Sequence, residues 1–290
     1  MSRLQLLFDQ FKAYHLDNLE INFSLGPVSE KLNESTVIDQ IFQIKQDEFL
    51  LNCNDCRLFI SKGTHLTVDY LQNLNTTQDW IQGLATAILL MQRGHLVLHG
   101  NAFSYGQRAF ILAGDSESGK SSLAASFHQR GALFQSDELS CFKNDSAKLL
   151  PGFPFLRLWP ETISSLKLNE LQTRTLWDKE NKLALDTSTQ RYNDVLKADY
   201  LIFLSCEHDC QKVSLEKLCG LSKLEYFLKS LYRPEFLEIM DPDQHYMKQV
   251  SSLINEIDIY LLKRPRDKNT LTESTDLIEK ILVQSDPSSH

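Results

Sequence analysis

Between residues 20 and 72 apolar and polar positions alternate in short runs separated by turn signals. The runs "LEINFSL", "IFQIKQDEFLLNC", "CRLFISKG" and "HLTVDYL" each carry the two-residue period of a strand with one buried face. Asp47-Glu48 and Ser61-Lys62-Gly63 read as turns between them. The period then changes. In "TTQDWIQGLATAILLMQRG" Trp80, Leu84, Ile88 and Leu89 recur at helical spacing, with Asp79 as the expected cap and Gly94 as the stop. "HLVLHGNAFSYGQRAFILAG" predicts two strands in an antiparallel hairpin that turns near Ser104-Tyr105-Gly106. "KSSLAASFHQRG" predicts a short helix stopped by Gly131, and "ALFQSDELSCF" a returning strand.

Further along, Pro151, Pro154 and Pro160 in "LLPGFPFLRLWPETI" exclude a regular helix or a central strand. A charged helical pattern is expected over roughly 160–183, and the continuously apolar "ADYLIFLSCE" reads as a buried strand. Helices are expected near 214–231 and 243–256, then a strand "IDIYLLKRP", a helix near 273–283 and a disordered tail "SDPSSH". Strands and helices mixed in this way place the chain in the mixed α/β class. The expected organisation is a β-rich N-terminal portion over 1–75, structural or docking in role, a core over 76–265, and a C-terminal helix and tail over 266–290.

Composition narrows the function more than the fold. The 290 residues suffice for one large domain or two modest ones. A formal net charge of −8 argues against a nucleic-acid surface or an anionic-membrane surface, both of which need clustered Lys and Arg. Asp9 and Lys12 interrupt the first apolar run before it becomes a secretory leader. Gln92, Arg93 and His95 break the most apolar window well short of a membrane span. The expected setting is soluble and cytoplasmic. Six cysteines do not make a disulfide framework in a chain of this size. Cys53 and Cys56 have C-x-x-C spacing, but no second tight pair matches it, so strand positions are preferred to a zinc site.

The chemistry concentrates in "GDSESGKSS", residues 114–122, where Gly114, Gly119, Lys120 and Ser121 spell a phosphate-binding loop. An apolar strand enters it and a helical pattern leaves it, as the chemistry needs. Backbone amides from about Glu117 to Ser121 turn towards the anion, and the helix N-terminus adds its positive pull. Lys120 reaches the β- and γ-phosphates and the Ser121 hydroxyl ligates Mg²⁺. Asp137 and Glu138 follow on the next strand. One acid of such a pair can hold Mg²⁺ through water while the other takes a proton from an incoming hydroxyl. His99, ending the strand beside the one that feeds the loop, falls near the same phosphate. Arg157, Arg191 and Arg233 are candidates to clamp it, with Arg157 leading.

In order and spacing, "LHGNAF", "ILAGDSESGKSSLAASFHQRG", "LFQSDELS" and "PGFPFLRLWPE" resemble HPr kinase/phosphorylase and its HPr-kinase-related relatives, including kinases of lasso-peptide clusters. The resemblance covers roughly residues 94–205. It implies a phosphoenolpyruvate-carboxykinase-like kinase core that uses ATP and Mg²⁺ to phosphorylate a serine on a peptide or protein. Carried over by position, Gly114, Asp115, Ser116, Glu117, Ser118, Gly119, Lys120, Ser121 and Ser122 hold the nucleotide, and Ser121 with Asp137 holds the metal. His99 matches the family's H-G element, and Asp137-Glu138 its Asp-Asp pair. Glu138 replaces the second Asp, which leaves open which acid is the base. The Glu-x-Arg-Gly-Leu-Gly signature of HPr kinase proper is missing, which counts against HPr itself as substrate and against reverse phosphorylase activity. Homo-oligomerisation stays open. Two other readings are a kinase of a small molecule such as free serine, and a nucleotide-sensing module without catalysis.

Overall fold

The computed structural model describes residues 21–115, 117–144, 146–168, 173–175 and 182–284. The N-terminal stretch tested for a leader, Ser116 and the tail "SDPSSH" lie outside the described residues, as does part of the 160–183 segment.

The N-terminal alternation becomes a sheet of β1 (Asn22–Leu25), β2 (Thr36–Ile38), β3 (Phe42–Ile44), β4 (Glu48–Asn52), β5 (Cys56–Ser61) and β6 (His65–Tyr70). Strands β2 to β6 form an antiparallel meander, and β1 closes parallel on β6. In β5, Cys56, Leu58 and Ile60 are buried while Arg57 and Phe59 are half-exposed, the signature of one covered face. The cover comes from the rest of the chain. Phe42 and Phe49 pack on Phe236, and the same apolar cluster takes in Leu84, Ile88, Leu139, Cys141 and Phe153.

The next helical run has three pieces: α1 (Leu74–Trp80), a π-helical turn (Ile81–Ala85) and α2 (Thr86–Met91). Its cap is Asn73 rather than Asp79. The Asn73 Oδ1 accepts the amides of Asn75 at 3.0 Å and Thr76 at 3.2 Å, which places Asp79 inside the helix. In the π turn all five residues are buried, and the Thr86 hydroxyl donates to the Ile81 carbonyl at 2.7 Å.

β7 (Leu96–Tyr105) and β8 (Arg108–Gly114) form the expected antiparallel hairpin, and a loop leads from β8 into α3 (Lys120–Gln129). The acidic run is not one strand but two. β9 (Leu133–Ser136) and β10 (Leu139–Phe142) both pair with β7, and Asp137-Glu138 is the break between them. Next come β11 (Lys148–Leu149), β12 (Phe155–Leu158), α4 (Pro160–Ser165), β13 (Thr173–Thr175), β14 (Leu183–Asp186), β15 (Leu196–Lys197), β16 (Tyr200–Glu207) and β17 (Ser214–Lys217). The chain ends with α5 (Gly220–Lys229), α6 (Pro234–Met240), α7 (Tyr246–Glu256), β18 (Asp258–Pro265) and α8 (Leu271–Gln284).

The central sheet runs β15-β11-β10-β7-β8-β16-β18-β17, with β9 also pairing β7. β8, β16 and β18 are parallel and their neighbours antiparallel, so the architecture is mixed α/β. Leu112, Ile202 and Leu204 face a cluster with α3 and α8, while Ile111, Ala113 and Phe203 face α5 and α7. Among the described residues no helix is long and apolar enough to cross a membrane.

The helix expected over 160–183 stops at Ser165. Thr173–Thr175 and Leu183–Asp186 are strands that join β12 in a small antiparallel sheet, β12-β14-β13. Ser214–Lys217 likewise leaves the helix expected over 214–231 and pairs with β18, where the ladder outweighs local helical preference. β12 lies between Pro154 and Pro160 at a sheet edge, where a missing N–H costs nothing. Helix α6, opened by Pro234, has no counterpart in the sequence pattern.

Candidate active site

Two glycines shape the loop. β8 lies so close to β16 that a Cβ on Gly114 (φ 144°) would collide with the Leu204 carbonyl oxygen. Gly119 turns left-handed at φ 94°, and a Cβ there would stand 2.5 Å from Arg264 Nη2. Neither place admits a side chain without displacing its neighbour. Among the described residues no side chain caps α3, so its first-turn amides, from Lys120 to Ser122, are left for an anion. Lys120 folds back over the loop, its Nζ donating to the Gly114 and Asp115 carbonyls at 2.7 and 2.8 Å. One amide expected to face the anion does not. The Ser118 N–H donates to the Asp115 carbonyl at 3.2 Å. Asp115 and Glu117 are exposed, Ser118 is buried, and Ser121 is half-buried in the first turn. The Ser122 hydroxyl lies 3.3 Å from that of Thr162 on α4.

The acids sit where the ladder along β7 is interrupted, between the pairs Ser136–Ala102 and Leu139–His99. In a regular strand adjacent side chains point to opposite faces. Glu138 adopts a left-handed φ of 60°, and both carboxylates turn to Arg157 instead. Asp137 Oδ2 accepts the Arg157 backbone N–H at 2.8 Å, and Arg157 Nη1 donates to Glu138 Oε2. Asn101 Nδ2 donates to the other Asp137 oxygen. A left-handed non-glycine residue is costly and persists only where its surroundings fix it. The Gly100 N–H helps by donating to the Glu138 carbonyl at 3.1 Å. His99 is anchored by its own N–H, which donates to the Ser230 carbonyl at 2.7 Å, and its ring stacks on Tyr232 with centroids 6.0 Å apart.

The charges act on one another. Burial, then the nearby Lys120 charge, pulls His99 down to about 4, so its imidazole is neutral at neutral pH. Enclosure, then Glu138 alongside, pushes Asp137 up to about 7 despite Arg157. Enclosure works the same way on Glu138, but the Arg157 charge and hydrogen bond leave that carboxyl below its ordinary range. Burial opposes the Arg157 charge, yet Glu138 and Asp137 hold it above its ordinary range. Lys120 is lowered by burial against the pull of Asp115, Asp137 and Glu138. His99, Lys120, Asp137, Glu138 and Arg157 thus form one electrostatic cluster. Its two acids have been driven apart, one poised near neutrality and one held ionised.

No protein-family model matches the chain, and no curated protein matches it by sequence. Among solved structures, the HPr(Ser) kinase/phosphatase from Coxiella burnetii is similar over 65% of this chain and 91% of that chain, at 10% identity and a TM-score of 0.34.

Several site residues escape a reading of the sequence. Asn101 carried a usable signal, since in a strand it shares a face with His99. Lys182 carried none, and Asp79 only the misleading one of a helix cap, because folding alone brings them in. Lys182 lies one place before the Leu158–Leu183 pair, its Nζ 5.1 Å from the Trp159 ring, and its charge reaches His99, Lys120 and Glu138. The Asp79 charge adds to the negative field around Arg157 set mainly by Glu138 and Asp137. Beside the loop, α4, α8 and the end of β18 enclose a cavity of about 160 Å³ lined in part by Gly119, Thr162, Arg264, Asn269 and Ser274. Arg264 Nε donates to the Ser118 carbonyl at 3.0 Å, and the buried Ser274 hydroxyl has no hydrogen-bond partner among the described residues. The other two arginines raised as clamps also make contacts within the fold. Arg191 donates to the Gly152 carbonyl at 2.9 Å, and Arg233 pairs with Glu235 and Asp39 over the rings of Phe42 and Phe236.

Proposed function

We propose that the protein is an ATP- and Mg²⁺-dependent kinase that transfers the γ-phosphate to a serine hydroxyl of a peptide or protein. The observation that carries this reading is that Lys120 of the glycine loop shares one charge cluster with His99 and with the acid pair Asp137-Glu138, which Asn101 and Arg157 hold in place by hydrogen bonds. A loop that only senses nucleotide needs Lys120 and backbone amides but no such pair. The serine acceptor follows from the sequence resemblance alone.

The glycine-shaped loop from Gly114 to Ser122 fits a triphosphate, because a Cβ at either end would fill the space the backbone needs. The adjoining cavity, with Arg264 and the unpartnered Ser274 hydroxyl, is where the nucleoside end would lie. Ser121 is a hard oxygen donor of the kind Mg²⁺ takes when phosphates supply its other ligands, which leaves Asp137 to act on the proton. When bound, the ion supplies positive charge to the phosphate oxygens. Lys120 and the first-turn amides of α3 orient and neutralise the same oxygens. Glu138 is committed to Arg157, so Asp137 is the base this geometry favours. It accepts the proton as the serine oxygen attacks the γ-phosphorus and the bond from that phosphorus to the bridging oxygen breaks to release ADP, while Arg157 and the neutral His99 hold the transferred group.

The test is transfer from γ-labelled ATP with Mg²⁺ to buffer, to free serine and to a panel of serine-bearing peptides. Label on a peptide serine, absent with Asp137→Asn, supports the reading. Label on free serine replaces it with a small-molecule kinase. ATP binding without transfer to any acceptor overturns catalysis in favour of a sensor.

A further inference from the structure

Away from the nucleotide loop, the β4–β5 hairpin carries a pair of thiols that the proposed reaction does not use. The Cys53 N–H donates to the Cys56 carbonyl at 3.1 Å and closes a four-residue turn, Cys53-Asn54-Asp55-Cys56. Both cysteines are free, and their sulfur atoms are 3.8 Å apart. A disulfide bond is about 2.05 Å long, so closure needs roughly 1.8 Å of approach, within reach of side-chain rotation across a turn already closed. Cys56 is fully buried and Cys53 half-buried, so a reagent from solvent meets Cys53 first. We propose that Cys53 and Cys56 are a modification site at which an intramolecular disulfide forms and breaks reversibly.

The chemistry of the pair is asymmetric. The contact with the Cys56 thiol, with backbone hydrogen bonds to Cys56 and Asp55, pulls Cys53 down to about 6 against its burial, and the Cys53 thiol also lies 3.2 Å from the Cys56 carbonyl, to which it donates. The thiol–thiol contact, then burial, pushes Cys56 up. Cys53 is therefore the attacking thiolate and Cys56 the resolving thiol. With hydrogen peroxide as oxidant, the Cys53 sulfur attacks one oxygen and the O–O bond breaks. Cys53 becomes a sulfenic acid, and the departing hydroxide leaves as water. The Cys56 sulfur, losing its proton, then attacks the Cys53 sulfur, and the S–O bond breaks to release the second water. The two sulfurs give up the two electrons that reduce one peroxide. Two equivalents of a thiol such as glutathione return the pair to thiols. The turn also bears on its surroundings. The Asp55 carbonyl accepts the amides of Leu71 and Gln72, both at 3.0 Å, just before the Asn73 cap of α1.

The experiment equilibrates the full chain in glutathione buffers from reduced to oxidised, quenches with N-ethylmaleimide and maps the peptides. The expected result is a Cys53–Cys56 peptide that loses two hydrogens and takes no maleimide in oxidised buffer, then regains both thiols in reduced buffer. The exposed Cys219 should instead stay open to maleimide or glutathione. Cys53→Ser should slow peroxide oxidation of the remaining Cys56 thiol by about tenfold or more. Cys56→Ser should trap glutathione on Cys53. Should that buried substitution not fold, the wild type and Cys53→Ser decide the matter. Maleimide on both sulfurs in every buffer would overturn the proposal, as would a glutathione adduct on wild-type Cys53 that never resolves.

Discussion

The glycine loop and the acid corner belong to the same cluster of charges but are assembled in opposite ways. The loop is one continuous stretch between a strand and a helix, and it works mainly with backbone: two glycines, the first turn of α3, and a lysine resting on the loop's own carbonyls. The corner holds two adjacent acids whose partners come from β7 and β12, with a further charge from α1. In the loop each residue answers to its immediate neighbours. In the corner each charge answers to groups far away in sequence, and changing one changes the rest. The lesson is that binding should fail piecemeal and chemistry all at once.

The sharpest break of that contrast is Asp137→Asn. Transfer should fall by about 10²–10⁴-fold, while ATP affinity by calorimetry stays within about twofold. A parallel loss of both would mean that loop and corner are one unit. Arg157→Met should come next, costing about 2–3 kcal/mol in urea denaturation, less than for a fully buried pair because the Glu138 side chain keeps 34% of its surface exposed. Its pH dependence has a definite sign. Glu138 is held below its ordinary range, so the stability it contributes is present above the unfolded carboxylate pKa and is lost as pH falls through the folded one. The penalty of Arg157→Met should therefore be largest at neutral pH and shrink in acid.

Lys120→Ala should weaken ATP binding by roughly 10- to 100-fold, the size of a charge-assisted contact, and leave the melting temperature nearly unchanged. Unaltered affinity would remove Lys120 from the loop's role. Gly119→Ala should cost about 1–2 kcal/mol, since its φ is left-handed and Arg264 stands where the methyl would go. The smallest effect expected is a gain. Asp137 sits at about 7 in the fold, above its ordinary value, so the folded state holds a proton that the unfolded state has already released. Stability should fall as pH rises from about 4 towards 7, and Asp137→Asn should recover about 2–4 °C of melting temperature at pH 8. No gain would mean that the corner carries its second acid without cost.

How much the sequence discloses follows the same division. The loop, the β7–β8 hairpin and the N-terminal strands were legible because their signals are local: glycine placement, turn chemistry and a two-residue period. The break at Asp137-Glu138 was not, since nothing in "LFQSDELS" says that Glu138 will adopt a left-handed backbone; Arg157, Asn101 and the Gly100 amide impose it. The strand at Leu183–Asp186 was hidden for a related reason, because its partner β12 exists only once the chain has folded back. Asp79 was seen but misplaced. It resembles a cap, and Asn73 performs that function.

The wide turn at Ile81–Ala85 can be described as a phase shift. Each residue of an α-helix advances about 100° around the axis, so one extra residue sets α1 and α2 out of step by that angle. α2 keeps Ile88 and Leu89 in the apolar cluster, while α1 is free to bring Asp79 towards Arg157. Deleting a single residue from the turn would leave every charged group of the corner in the chain and carry Asp79 to another side of the helix. How near Asp79 comes to the site's arginine is set there by chain length, independently of which residues are present.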